Sequence, residues 1–310
     1  MQKVLNVFDE FIEQGSFGRH ETFTPRYGWI KKGFDALKND GYCFKVNDAI
    51  ERLGVGKNMV ISIKYWCMTF KIAKQGNNDK SFISPTKFGE LLLGKDGWDP
   101  YLEDPASLWL LHWQLFIPTL SALNWIFAFN KASIGHFNNK QLVKLMIASA
   151  QKYSKFSTIS ETTFEKDASC LIRMYSDTYS DRNSEIDCPF SQLDLMFRTE
   201  GNSEYTFNNG FKQTLPSLIF AAACFSYLHN YSSRRQQSIS LQRLTYDFNS
   251  PGIAFKISES VAGTYLDDVS NKLSGMTFRD DLNGPRLYLE KSPEVLYWET
   301  LNLYYKEQNA

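Results

Sequence analysis

The feature that most constrains this chain is a short helix, a glycine turn and a longer helix in close succession. Asp48 is suited to cap a short helix over Ala49–Leu53. Gly54-Val55-Gly56 interrupts that helix, because glycine accepts the positive φ that a tight turn between helices requires. A second helix is predicted from Lys57 to Ala73, since its apolar residues recur at three- and four-residue spacing. Such a pair is typical of a helix-turn-helix.

A polar segment follows this helix pair and predicts a hairpin. Gln75–Lys80 is rich in turn-forming residues, Ser81–Ser84 is a candidate strand, and Pro85–Leu93 resembles the return from a strand to a helix. Helices followed by a polar hairpin form the order of a winged helix-turn-helix, in which the second helix meets a DNA groove and the wing reaches phosphates. The alternative is a helical subdomain that only packs against a neighbour.

The residues predicted to contact DNA are polar or basic and lie outside the apolar stripe of the second helix. That stripe comprises Met59, Ile63, Trp66, Cys67 and Phe70. The second helix contributes five outward-facing residues, namely Lys57, Asn58, Ser62, Lys64 and Tyr65. The predicted wing contributes Lys74 and Lys80, and the preceding basic segment contributes Arg26 and Lys31.

The charge distribution favours a polyanion partner for the N-terminal part of the chain. The 310 residues have a formal net charge of zero, but residues 1–90 contain 14 Lys and Arg against 10 Asp and Glu. This segment therefore carries +4 and the remaining chain −4. A basic surface attracts nucleic acid, although an excess of four charges is small by itself.

The rest of the chain predicts a mainly helical protein with small β elements. A second hairpin is expected around Asn283-Gly284, between Met276–Asp280 and Arg286–Leu289, after a helix over Glu259–Leu273. A helix followed by a hairpin repeats the N-terminal order, so a C-terminal winged-helix-like unit is a further expectation. Ile253–Ile257 is predicted as a short strand.

Length and composition shifts suggest how the chain divides. We predict a winged helix-turn-helix domain over residues 1–93, a helical domain over 94–180 and a C-terminal α+β domain over 181–310, with the last boundary in a polar stretch. The five cysteines are scattered and have no metal-ligand spacing, which favours reduced, buried thiols. No signal segment or uninterrupted apolar span occurs, so a cytoplasmic protein without a membrane role is expected.

An acidic group is the main candidate for a metal site, and it consists of Asp96, Asp99, Glu103 and Asp104. Carboxylates suit magnesium in phosphodiester cleavage. Asp104-Pro105 also has the pattern of a helix N-cap, which favours a structural role for this group. His20 and Glu21 form a candidate acid–base pair, although polar residues between turns more often satisfy buried backbone groups. We therefore predict no catalytic residue, no metal ligand and no cofactor.

Three long segments resemble, in order and without gaps, the motifs of the bacterial domain-of-unknown-function family 4007. They are Arg19–Lys32, Ala49–Trp66 and Gly97–Trp113. The similarity extends more loosely to Ser250–Ser258 and so covers nearly the whole chain. The chain departs from the family where Gly18-Arg19-His20 replaces the usual Ser-Gly-His.

The resemblance implies a role in anti-phage defence, because members of that family occur beside DNA phosphorothioate modification genes. It implies no reaction and no catalytic residue. Our leading hypothesis is a non-catalytic subunit that binds duplex DNA and works with the other subunits of such a system. The alternatives are a scaffold that docks a protein partner without touching DNA, and a metal-dependent nuclease that uses Asp96, Asp99 and Glu103.

Overall fold

The computed structural model describes residues 2–45, 47–131, 135–176, 188–199, 203–231 and 237–308, with side chains from Phe8 onward. Its helices are α1 (Gln2–Gln14), α2 (Trp29–Asn39), α3 (Ala49–Leu53), α4 (Lys57–Thr69), α5 (Lys87–Leu93), α6 (Pro105–Gln114), α7 (Leu123–Asn130), α8 (Asn139–Ala150), α9 (Glu161–Tyr175), α10 (Ser217–Tyr231), α11 (Leu241–Tyr246), α12 (Pro251–Phe255), α13 (Glu259–Ser270) and α14 (Pro293–Gln308). Its strands are β1 (Ala73–Gln75), β2 (Ile83–Pro85), β3 (Met196–Arg198), β4 (Tyr205–Phe207), β5 (Ser238–Ser240), β6 (Met276–Asp281) and β7 (Gly284–Leu289). The expected fold class, mainly helical with small β elements, is confirmed.

The N-terminal helix pair forms where the sequence predicts it, with a left-handed glycine between the two helices. α3 ends at Gly54, whose φ is 60°. α4 begins at Lys57, as predicted, but it ends at Thr69 and not at Ala73. The helix stops early because Lys71 takes a φ of 57° and Ala73 already belongs to β1. β1 then pairs antiparallel with β2 to form a hairpin.

Close packing of α2 on α4 determines which side of the helix pair is buried. A Cβ atom at Gly33 would lie 2.6 Å from Cys67 Sγ and 2.8 Å from a methyl carbon of Ile63. Only glycine therefore lets the two helices approach this closely. The indole N–H of Trp66 donates to the Phe23 carbonyl at 3.1 Å, which ties the segment before α2 to α4.

The C-terminal part contains a three-stranded antiparallel sheet with the order β5-β7-β6. α10 precedes β5, and α11, α12 and α13 lie between β5 and β6. β7 returns between the other two strands, so that Ser240 pairs with Arg286 on one side and Phe278 with Leu287 on the other. The hairpin predicted at Asn283-Gly284 is confirmed as β6–β7.

Residues 253–257 do not form the predicted strand, and that prediction is wrong. α12 occupies Pro251–Phe255, and the Ser250 side chain caps it by accepting from the Ile253 amide at 3.4 Å. Proline suits the first turn of a helix, where its missing N–H is not needed. All five residues of α12 are buried. A helix buried on every side loses the polar–apolar period that distinguishes it from a strand.

Beside a small cluster of Ala49, Leu53 and Val60, a large cluster of buried apolar side chains among the described residues runs from Phe8 in α1 to Tyr305 in α14. It includes residues on both sides of position 93, so the three-domain division stays a prediction. The five cysteines are buried, as expected from their scatter. No helix within the described ranges has the length and apolar character needed to span a bilayer.

Candidate nucleic-acid interface

The N-terminal end of α4 is the part of the predicted recognition helix that faces solvent. Lys57, Asn58 and Ile61 are exposed, and Lys64 is half-buried. The remainder of α4 is enclosed, because α2 packs on one side and the segment around His20 lies on the other. α4 therefore offers only its first turns to a ligand.

The predicted outward orientation of Ser62 and Tyr65 is wrong. Ser62 is fully buried, and the hydroxyl of Tyr65 donates to the Ser121 carbonyl at 3.2 Å inside the protein. Desolvation raises the pKa of Tyr65 well above its usual value. The ring of Tyr65 lies edge-on to His20, 5.9 Å between centroids. Ser62 and Tyr65 belong to the core because α4 has packed neighbours on two sides, and neither side chain is available to a ligand.

The predicted wing is a short hairpin with an ordered tip. Asp79 organises the tip by accepting a hydrogen bond from the Tyr42 hydroxyl at 2.9 Å. Phe82 packs edge-on against the same tyrosine, 5.3 Å between ring centroids. Lys74, in β1, and Lys80, in the loop between β1 and β2, are exposed. The tip is thus held by specific contacts that present its lysines to solvent.

Arg26 and Lys31, the remaining predicted contacts, are half-buried near the start of α2. The Arg26 guanidinium lies 5.4 Å from the centre of the Trp29 ring. Lys31 Nζ is 2.5 Å from Asp35 Oδ1 and 5.6 Å from the centre of the Tyr101 ring. Both cations already contact protein groups, so a ligand would have to share or replace these contacts.

Positive charge dominates α4 and the hairpin. Residues 57–85 contain five lysines and one acidic residue, which gives a net charge of +4. Among the described residues, no ion pair joins a carboxylate to any one of four of these lysines, namely Lys57, Lys64, Lys74 and Lys80. Together with Asn58, these four residues are called the basic surface below. A polyanion would meet cations there that have no competing carboxylate partner.

Two members of the acidic group before α6, Asp99 and Asp104, have structural roles. The two carboxylate oxygens of Asp99 accept from the backbone amides of Glu103 at 2.9 Å and Asp104 at 3.0 Å. Asp104 caps α6, as its sequence context predicts, by accepting from the Ala106 amide at 2.9 Å, and it also accepts from the Tyr304 hydroxyl. Across the described part of the chain, no group of three His, Cys, Asp or Glu side chains is arranged to hold a metal ion.

His20 lies in a buried polar network and is almost fully enclosed. Its Nε2 is 2.8 Å from Asp167 Oδ1, and the other oxygen of that carboxylate accepts from Asn124 Nδ2 at 2.7 Å and from the Gly18 amide at 3.1 Å. The neighbouring Glu21 is exposed and takes no part in this network. The arrangement anchors the segment before α2 to α7 and α9, which favours a structural role for His20 over acid–base catalysis.

His112 is likewise a core residue. Its Nε2 lies 2.9 Å from the Ala254 carbonyl, which only accepts, so this nitrogen carries the proton. Nδ1 then accepts from the Tyr175 hydroxyl at 2.7 Å. Burial lowers the pKa of His112 to about 3, which keeps the ring neutral. The third motif of the sequence is thereby joined to the segment around Ala254.

Sequence reasoning missed a groove near the basic surface. It lies along α2, is closed by the end of α3 and by Tyr101, and has a volume of about 700 Å³. Tyr101 is 73% exposed, unusually high for a tyrosine that belongs to an ordered turn. The only signal in the sequence was one aromatic residue between turn-forming residues. Nothing there indicated that the turn would fold back beside α2.

Comparison with known proteins establishes the class of this chain. The family described as "Protein of unknown function (DUF4007)" matches residues 17–305. The chain therefore belongs to the DUF4007 family. It is also similar to a structure described as magnesium ion-bound SspB, with 32% identity, a TM-score of 0.89, and coverage of 96% of this chain and 90% of that one. A second SspB crystal structure matches at 33% identity, with a TM-score of 0.88 and the same coverage. No curated protein matches the sequence.

Proposed function

We propose that this protein is a non-catalytic, duplex-DNA-binding subunit of a bacterial DNA phosphorothioation-type modification system or anti-phage defence system. Membership of DUF4007 and similarity to SspB over nearly the whole chain support a place in such a system. The observation that carries the DNA-binding role is the basic surface. Lysines without carboxylate partners attract a phosphate backbone and release its counterions on binding.

In this proposal, α3, α4 and the β1–β2 hairpin act as a winged helix-turn-helix. The exposed first turns of α4 would enter the groove with Lys57, Asn58 and Lys64, while Lys74 and Lys80 would reach phosphates from the hairpin. The order of helices, glycine turn and antiparallel hairpin supports this assignment. The salt dependence of binding should scale with the few phosphates that these lysines neutralise, and base selectivity should be modest because phosphate contacts carry no sequence information.

The C-terminal part supports a second winged-helix-like unit with a different partner. Its element order and the β5-β7-β6 sheet fit that architecture. α13, however, holds three acidic residues and no basic one. The β6–β7 tip presents Leu282 fully exposed beside Asp281. An acidic face with an apolar tip suits a basic protein partner better than DNA, so this face favours the second candidate function, a scaffold for another subunit.

The DNA-binding role is tested by fluorescence anisotropy with a labelled duplex over a series of salt concentrations. For the wild type, log affinity should fall linearly with log salt, by about 0.9 per neutralised phosphate. Replacing Lys57 and Lys64 together by Glu should weaken binding by about tenfold or more at low salt, because two attractive charges become repulsive. Duplex binding by this variant at wild-type affinity would refute the proposal.

A matched control uses two lysines on another helix. Lys140 and Lys144 are exposed on α8, and replacing both by Glu changes the net charge by the same amount. This control should bind the duplex nearly as well as the wild type. If both double variants weaken binding equally, the overall charge of the protein, and not the basic surface, is responsible.

The scaffold role is tested by co-expressing the chain with the products of its flanking genes. Replacing Glu259 and Asp267 by Lys should abolish co-purification of a partner that docks on α13, because their charges would be reversed. A complex that survives this change, and yet is lost on replacing Lys57 and Lys64, would place the protein interface on the basic surface and contradict the leading proposal.

A further inference from the structure

We propose that the groove along α2, closed by Tyr101, binds one unpaired nucleotide of the DNA; this inference rests on the proposed DNA-binding function. The name Tyr101 groove is used below for the cavity bounded by Lys31, Lys32, Asn39, Arg52, Leu53 and Tyr101. Its volume of about 700 Å³ falls within the range of small-ligand sites. A nucleotide would place its base against the aromatic ring and its phosphate among the cations.

Tyr101 has the properties of a stacking platform. Its side chain is 73% exposed and so contributes little to the core. The turn that carries it is nevertheless rigid, because the buried Asp99 carboxylate holds the backbone amides of Glu103 and Asp104. The Leu102 amide also donates to the Asp99 carbonyl at 3.2 Å. An aromatic ring held outward on a fixed turn is suited to stack with a base.

Three cations surround the Tyr101 groove, and one of them has no carboxylate partner among the described residues. Lys31 pairs with Asp35. Arg52 pairs with two carboxylates, since its Nη1 lies 3.1 Å from Asp40 Oδ2 and its Nε lies 2.9 Å from Asp48 Oδ2. Lys32 Nζ instead donates to the Leu53 carbonyl at 2.9 Å, which leaves its charge uncompensated. Three carboxylates therefore pair with Lys31 and Arg52, and Lys32, which pairs with none of them, is the cation whose charge suits a phosphate.

The Tyr101 groove also offers polar groups that suit the edge of a base. The side-chain amide of Asn39 both donates and accepts, and it lies along the same side of α2 as Lys32 and Asp35. Asparagine is a common partner of adenine and carboxylates accept from cytosine, so this wall can favour one base over another. The ring of Tyr101 stacks with any base.

The Tyr101 groove is continuous along the chain with the basic surface. Leu53, at its margin, is the last residue of α3, and the glycine turn leads directly from it to Lys57 at the start of α4. A duplex held on α4 would therefore pass close to the groove. Extracting a base from the duplex requires breaking its pairing and stacking, and this cost is smallest when the base is already unpaired. The expected ligand is thus DNA with an unpaired nucleotide, either in a bulge or opposite a gap in the other strand.

The test compares a perfect duplex with the same duplex carrying one bulged nucleotide, by fluorescence anisotropy with the full chain. The wild type should bind the bulged DNA about 5- to 150-fold more tightly, the range expected for stacking of one base. Tyr101→Ala should abolish this preference and leave duplex affinity unchanged. Tyr101→Trp should retain the preference, because indole also stacks. Tyr246→Ala, which removes another exposed tyrosine on α11, should behave as the wild type.

The inference would be overturned if the wild type showed no preference for the bulged DNA, or if the Tyr101→Ala variant kept that preference. It would also be overturned if Tyr101→Ala weakened binding of the perfect duplex as much as binding of the bulged DNA. The last result would assign the ring to the duplex interface. The proposed function fails separately, if replacing Lys57 and Lys64 by Glu leaves binding of both DNAs intact. Because the two sets of variants are independent, the failure of one proposal is distinguishable from the failure of the other.

Discussion

The N-terminal and C-terminal parts of this protein share an order of elements and differ in charge. Each has helices followed by an antiparallel hairpin, α3–α4 with β1–β2 and α11–α13 with β6–β7. Residues 57–85 carry +4, whereas residues 259–289 contain five acidic and three basic residues and carry −2. α4 holds two lysines and no acidic residue, whereas α13 holds three acidic residues and no basic one.

Element order alone therefore does not assign a partner to either part. A hairpin follows helices in both parts, but the sign of the local charge decides whether a phosphate backbone is attracted or repelled. The acidic unit also keeps part of its charge paired, since Asp281 contacts Arg286 and Asp268 contacts Lys272. The basic surface has no such pairing among the described residues, so its charge remains available to a ligand.

The strongest effect should come from the residues that attach the N-terminal part to the rest of the molecule. Asp167→Ala should lower the free energy of unfolding by about 3–5 kcal/mol, because it leaves His20, Asn124 and the Gly18 amide buried without their shared acceptor. Urea denaturation measures this change. Asp267→Ala, on the exposed face of α13, is the control and should stay within about 0.5 kcal/mol of the wild type. If both variants lost the same free energy of unfolding, the Asp167 carboxylate would be no more important to stability than a carboxylate on the surface.

A pH-dependent effect of intermediate size is expected from the C-terminal part. Lys256 is buried, and desolvation lowers its pKa to about 7. In the unfolded chain the lysine keeps its proton to about pH 10, so between pH 7 and 9 the unfolded state binds more protons and stability rises with pH. The rise from this residue should reach about 2 kcal/mol.

Lys256→Met tests this linkage, because it keeps the volume of the side chain and removes the titrating group. Below pH 7 both states of the wild type are protonated, so this lysine adds no pH dependence there. Thermal or urea unfolding at pH 7 and pH 9 should show a smaller rise in the variant. If the rise in stability is unchanged in the variant, other buried lysines cause it. Lys212, whose pKa is lowered to about 8, is one such lysine.

A weaker effect is expected from the hairpin of the basic surface. Replacing Lys74 and Lys80 by Ala should reduce duplex affinity by about tenfold and lower the slope of log affinity against log salt by about 2, one for each phosphate that is no longer neutralised. The anisotropy titration described for Lys57 and Lys64 measures both quantities. An unchanged slope would show that the hairpin does not touch phosphates and would restrict the interface to α4.

Changes on the acidic face should have the least effect on DNA binding. Glu259→Gln combined with Asp267→Asn should change duplex affinity by less than about twofold, because α13 lies outside the proposed interface and long-range effects are screened by salt. Anisotropy at physiological salt is the measurement. A clear gain in affinity would mean that DNA also approaches α13, and the functional contrast between the two parts would not hold.

Several local elements were predictable because their causes are local. Asp104 caps α6, the glycine turn separates α3 from α4, and a β6–β7 hairpin forms around Asn283-Gly284 as expected. Its turn residues are Leu282 and Asn283, because Gly284 already pairs with Asp281. β5 was missed because it is a three-residue strand defined by its pairing with β7, which lies far away in the sequence. α12 was mistaken for a strand because burial on all sides erased its helical period.

The candidate site was predictable only in part. The exposed lysines follow from sequence because a charged residue outside an apolar stripe usually faces water. Ser62 and Tyr65 were placed outside because they too lie off the apolar stripe. This was wrong because α4 is covered on a second side by the segment that holds His20. Packing of a helix against a second neighbour cannot be recognised from the spacing of its apolar residues when the side chains that are buried there, such as Ser62 and Tyr65, are polar.

Local sequence was enough to specify the helix pair, its glycine turn, the hairpins and the concentration of lysines near the N-terminus, since each depends on residues close together in the chain. Which turns of α4 reach solvent, and where Tyr101 lies, depended on the tertiary structure. That ring comes from the turn before α6 and meets Lys31 of α2, 70 positions away in the sequence. Contacts over such a separation depend on how the whole core packs, and no local pattern encodes them.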